Sequence, residues 1–81
     1  MNGEGVQKGV PDLTLAIARG QWHGLYIELK ILPNQPTDEQ RAMMEELTRQ
    51  GYLCQVCYTL EQIIELITSY LALPAYPIAN Q

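Results

Sequence analysis

Residues 9–30 read "GVPDLTLAIARGQWHGLYIELK", and the alternation inside this stretch decides the fold. Over residues 13–18, Leu13, Leu15 and Ile17 are spaced by the smaller Thr14, Ala16 and Ala18, the period-two pattern of a strand packed more heavily on one face. Over residues 25–31, Leu25, Ile27, Leu29 and Ile31 alternate with Tyr26, Glu28 and Lys30 in the same way. The intervening "RGQWHG" supplies a turn, so the two runs are expected to pair as an antiparallel hairpin. A turn near Gly20 and Gln21 pairs residues whose numbers sum to about 41, which sets Asp12 beside Glu28, Leu29 and Lys30. Parity then groups Asp12, Thr14 and Ala16 with Tyr26, Glu28 and Lys30, on the face opposite the large apolar residues.

Working outward, "LPNQPT" is a loop that ends at Thr37, an expected helix N-cap followed by Asp38 and Glu39, where the helix dipole favours anions. Gln40, Met43, Met44 and Leu47 make one inward stripe, and Gly51 is the expected stop, giving a helix over residues 38–50. A third strand is expected over residues 52–58, "YLCQVCY", parallel to the second because a helix joins them. Thr59 with Gln62 resembles a capping box, and Leu60, Ile63, Ile64, Ile67 and Leu71 stripe a second helix that Pro74 should end. Residues 1–11 form a Gly-rich arm and residues 74–81 an apolar, proline-containing tail. The expectation is a single α/β domain over residues 1–81, ordered β, β, α, β, α around a three-stranded mixed sheet.

Eighty-one residues bury a modest core, and chains of this size often gain stability from a partner chain or a metal. The 47% hydrophobic and 17% charged composition is globular, without an apolar run long enough to span a membrane and without a secretory leader pattern. A cytoplasmic setting is the default expectation. A net charge of -4 with five Lys and Arg argues against a broad phosphate-binding surface, so any nucleic-acid contact must be local or helped by metal ions and a second subunit. Cys54 and Cys57 form "CQVC", but on a strand residues three apart point to opposite faces. Neither the helix start of a redox dithiol nor a second ligand pair for zinc is present, so both are read as structural thiols.

The charges of the hairpin carry the chemistry. Two carboxylates held close raise each other's pKa unless a cation lies between them, and Lys30 supplies that charge only in part. A divalent ion such as Mg²⁺ takes oxygen ligands and commonly uses one or two carboxylates with waters and phosphate oxygens. Asp12, Glu28 and the Leu29 carbonyl would hold it, with Lys30 orienting water or meeting developing negative charge. Against this stands a plainer reading, in which Glu28 and Lys30 are a solvated surface pair worth about 0 to 1 kcal/mol.

"GVPDL", a strand, "HGLYIELK", "PTDEQ" opening a helix, and "GYLCQVCY" together resemble a VRR-NUC domain, the virus-type replication-repair nuclease branch of the PD-(D/E)xK superfamily. The resemblance covers about residues 3–71 and implies a minimal restriction-endonuclease-like core. Pro11 and Asp12 match the PD motif; Glu28, Leu29 and Lys30 match ExK. It implies Asp12 and Glu28 as ligands of Mg²⁺ or Mn²⁺, with the Leu29 carbonyl, and Lys30 as the catalytic lysine. Gln40 matches a glutamine in the helix that follows; a satisfied core glutamine is the equal alternative. Superfamily members usually carry a further acid on a helix before the PD strand, and Glu4 is the sole acid here that can fill that place.

Standalone relatives of phage type are associated with dimeric cleavage of branched DNA such as four-way junctions in repair, and embedded relatives with flap cleavage. A homodimer in a bacterial or phage-infected cell is the implied form, with the tail residues Tyr70, Leu73, Tyr76 and Ile78 or the second helix as its interface. Lys8 and Arg41 are expected near the site as phosphate contacts; Arg19, Trp22 and His23 belong to the far turn, the last two as packing or partner-contact residues. The alternative from another class is a dimerising module that keeps the fold without competent metal binding.

Overall fold

The computed structural model describes residues 8–76, so Glu4 and Ile78 lie outside the described residues. Strands β1 (Leu13–Leu15), β2 (Leu25–Leu29) and β3 (Leu53–Cys57) and helices α1 (Asp38–Arg49) and α2 (Leu60–Leu71) follow in the expected order. The sheet order is β1-β2-β3, with β1 antiparallel and β3 parallel to β2.

Both hairpin strands are shorter than their apolar alternation suggests. Leu15 pairs with Leu25, while Arg19 bridges Trp22 at the turn. The first strand therefore spends four steps where the second spends three, and the extra residue expels Ala16–Ala18 from the ladder, as a bulge does. The freed Ile17 carbonyl accepts a hydrogen bond of 2.7 Å from the Tyr70 hydroxyl of α2. At the other end β2 stops at Leu29, and Ile31 and Leu32 are exposed.

Helix α1 begins in a full capping box: the Gln40 amide donates to the Thr37 hydroxyl and the Gln40 side-chain carbonyl accepts from the Thr37 amide. It ends with Gly51 at φ +100°, its amide donating to Thr48 and that of Tyr52 to Leu47, a Schellman closure. Gln40, Met43, Met44 and Leu47 are its half-buried residues, the stripe read from spacing. Helix α2 departs from its expected stripe. Ile63, Leu66, Ile67 and Tyr70 pack inward, whereas Leu60 and Ile64 are 67% and 56% exposed. Both stripes satisfy the helical period; the Tyr70 ring, 1% exposed and anchored through its hydroxyl to Ile17, selects between them. Tyr70 is thus core and not interface. The Thr59 hydroxyl caps the Gln62 amide, but the Gln62 side chain turns to the Tyr58 amide, so the expected reciprocal box is only half formed.

The core is Leu25, Ile27, Cys57 and Tyr70, between the sheet and α2. Cys54 faces the other way, its thiol against Thr48 of α1, so the two sulfurs diverge as strand geometry requires. Burial raises both thiol pKa values, which suits structural cysteines.

Candidate active site

Extending the β1–β2 register one residue sets Asp12 opposite Glu28, and one more sets Pro11 opposite Leu29. Along β2 the even residues direct their amides and carbonyls toward β3, as the Lys30 amide does to the Cys57 carbonyl at 3.0 Å. Leu29 therefore offers its amide and carbonyl toward β1. A ladder would pair that carbonyl with the amide of residue 11, but proline has no N–H. Pro11 thus leaves the Leu29 carbonyl without a ladder donor, while the Leu29 amide donates to Asp12 Oδ2 at 2.8 Å. Asp12 is fixed at the strand end by this bond.

Glu28 is the departure from the sequence reading. It lies on the face opposite the large apolar residues of the hairpin, yet it is 1% exposed, flanked by Val56 across the β2–β3 pair and by Lys30. Lys30 Nζ lies 3.5 Å from Glu28 Oε2, while Oε1 is buried and without a hydrogen-bond partner. Burial, then the Asp12 charge, push the Glu28 carboxyl above its ordinary range, and Lys30 draws it partly back. This is not a solvated surface pair.

An unpartnered buried carboxylate oxygen is costly unless something completes it. The donors that converge here are all oxygens: Glu28, Asp12 and the Leu29 carbonyl. That set fits a hard divalent cation such as Mg²⁺ or Mn²⁺ and not a soft metal. Among the described residues no group of three or more His, Cys, Asp or Glu gathers, so two side-chain carboxylates are the acidic contribution here.

The other expected residues are less central. The Gln40 side-chain carbonyl is engaged in the α1 cap. Arg41 is held by Asp38 at 2.7 Å and by the Pro36 carbonyl at 2.7 Å. Lys8 is exposed, and its neighbour Gly9, at φ +84°, runs so close to α1 that a Cβ would lie 2.5 Å from the Glu39 carbonyl oxygen. The arm thus crosses the first turn of α1. Arg19 is at the far end, donating to the Leu71 and Ala18 carbonyls. Trp22 packs on the core, and His23 lies in contact with Tyr52 and Tyr76 rings. Sequence reasoning gave Tyr26 and Tyr52 no part; period-two parity with Glu28 was the signal that places them on the same face.

The VRR-NUC domain model matches residues 2–60. The chain belongs to the VRR-NUC domain family. A solved structure described as a VRR_NUC domain protein is similar to this VRR-NUC chain at 37% identity and a TM-score of 0.84, over 89% of this chain and 60% of that one. The chain therefore spans about three-fifths of that protein's length. None of the curated proteins compared matches it. VRR-NUC is a nuclease family, so DNA hydrolysis is the chemistry to be set against this site. No helix among the described residues is long and apolar enough to cross a membrane.

Proposed function

We propose that this VRR-NUC domain is a Mg²⁺- or Mn²⁺-dependent endonuclease that hydrolyses phosphodiester bonds in branched DNA, such as four-way junctions, as a homodimer. The observation that carries the reading is the buried Glu28 carboxylate, one oxygen unpartnered, beside Asp12 and Lys30. Asp12, Glu28 and the Leu29 carbonyl would hold the ion, which when bound polarises the phosphodiester and lowers the pKa of its water. Lys30 Nζ, 3.5 Å from Glu28 Oε2, would orient the attacking water or meet charge on the phosphoryl oxygens. Glu28 must be ionised to ligate, so metal affinity rises with pH through its raised pKa.

The dimer is supported by apolar surface. Leu29, Ile31 and Leu60 line one open groove, and Ile64, one helical turn on from Leu60, is also exposed. A symmetric junction needs two matched cuts, which a twofold dimer supplies. One observation favours the competing non-catalytic module: the described residues bring no third acidic, His or Cys ligand to the site.

The test is cleavage of a fixed four-way junction, a flap and a duplex with Mg²⁺ or Mn²⁺. Asp12→Ala, Glu28→Ala and Lys30→Ala should each lose at least about a hundredfold in rate. A parent chain that cuts none of these, or three variants that cut as well as the parent, would reject the assignment.

A further inference from the structure

We propose that the chain of aromatic rings running from beside the acidic site, at the edge of the sheet face that α1 covers over β3, is a stacking ledge for unstacked nucleobases, carried by Tyr26, Tyr52, His23 and Tyr76. It rests on the nuclease reading only for where the scissile phosphate lies.

Along β2 this face runs Gly24, Tyr26, Glu28, Lys30. Strand rise puts Tyr26 about 7 Å from Glu28, roughly two steps of stacked DNA at about 3.4 Å each. Its antiparallel partner is Thr14, small and exposed, which leaves the β1 side of the ring uncovered. On the β3 side Tyr26 meets Tyr52 at 5.3 Å and 78°. The Tyr52 ring lies over Gly24, close enough that a Cβ there would be in ordinary contact with it at 3.4 Å. His23 follows at 5.8 Å and 66°, and Tyr76 at 5.3 Å and 71°. Four rings thus run from beside the acidic site toward the hairpin turn.

None of the four belongs to the hydrophobic core, which lies on the other face. His23 and Tyr76 are exposed, and Tyr26 and Tyr52 are half-buried. Aromatic rings that stay partly exposed outside the core leave ring surface on which a ligand can pack.

Charge argues for bases as the occupant. The chain carries -4, Arg41 and Arg49 are ion-paired to Asp38 and Glu46, and Arg19 caps the end of α2. A protein so poor in free cations cannot grip DNA mainly through phosphates. Stacking needs no net charge, tolerates any base, and contributes about 1–3 kcal/mol per base. Branched DNA exposes unstacked bases and continuous duplex does not, so the ledge favours branched substrates.

The probe is a four-way junction with 2-aminopurine at the branch, in metal-free buffer, compared with a duplex of the same sequence. The parent should quench the 2-aminopurine; the double variant His23→Ala with Tyr76→Ala should lose the quenching and bind the junction about tenfold more weakly. His23→Phe with Tyr76→Phe should restore both, and duplex binding should not change. With metal, the Ala pair should raise KM and leave kcat. Unchanged quenching and affinity in the Ala pair would overturn the ledge, as would a loss that the Phe pair fails to restore. A parent that quenches through these rings but cuts nothing upholds the ledge and rejects the nuclease; a parent that cuts while the Ala pair behaves identically does the reverse.

Discussion

Glu28 shows what a single residue contributes. Its position opposite Asp12 follows from hairpin arithmetic, but its burial comes from the β3 strand and the Lys30 stem, which are remote or flexible in the sequence. Its folded-state pKa is raised above the ordinary 4.5, so the protonated form favours the fold. The protonated acid's advantage is fully present below the unfolded value and is lost as pH rises through the folded one. Glu28→Gln should therefore melt higher than the parent in metal-free buffer, by a margin that grows from pH 4 to pH 8, as measured by thermal unfolding at a series of pH values. Adding Mn²⁺ should reverse the order, stabilising the parent and leaving Glu28→Gln unchanged. A constant margin across pH, or a variant that Mn²⁺ still stabilises, counts against a metal site at Glu28. Pro11 acts at the same scale by omission, since its missing N–H frees the Leu29 carbonyl.

At the scale of elements, local rules were legible and face selection was not. Thr37, Asp38 and Glu39 announce the start of α1 and Gly51 its end, because caps depend on residues within one turn. Gly51→Ala joins two penalties: an alanine at φ +100°, and a Cβ driven onto the His23 ring. It should destabilise by about 1–3 kcal/mol in urea unfolding. A change within about 0.5 kcal/mol would show that the α1–β3 corner relaxes freely. Helix α2 is the contrary case. Its sequence holds two overlapping apolar stripes, and only the docking of Tyr70 against Ile17 excludes the one containing Leu60 and Ile64.

At the scale of the whole molecule, that rejected stripe becomes surface. Ile31 is 79% exposed, and with Leu32, Leu60 and Ile64 it gives a small domain more bare hydrocarbon than solvation explains. If a second copy covers this strip, the parent should scatter light as a dimer at micromolar concentration and Ile64→Asp as a monomer, with the junction cut by the variant slowed more than binding of a single arm. A monomeric parent, or a variant that remains dimeric, removes this strip as the interface.

The sequence by itself determined the element order, the parallel and antiparallel pairings, the α1 caps and the convergence of Asp12, Glu28, Leu29 and Lys30. Each of these follows from periodicity or from contacts between near neighbours along the chain. The tertiary structure decided which α2 stripe is core, where β1 leaves the sheet, that Glu28 is buried with an unpartnered oxygen, and that Tyr26, Tyr52, His23 and Tyr76 meet ring to ring. Those outcomes depend on volumes and dipoles brought together from positions tens of residues apart, and a one-dimensional pattern does not contain them.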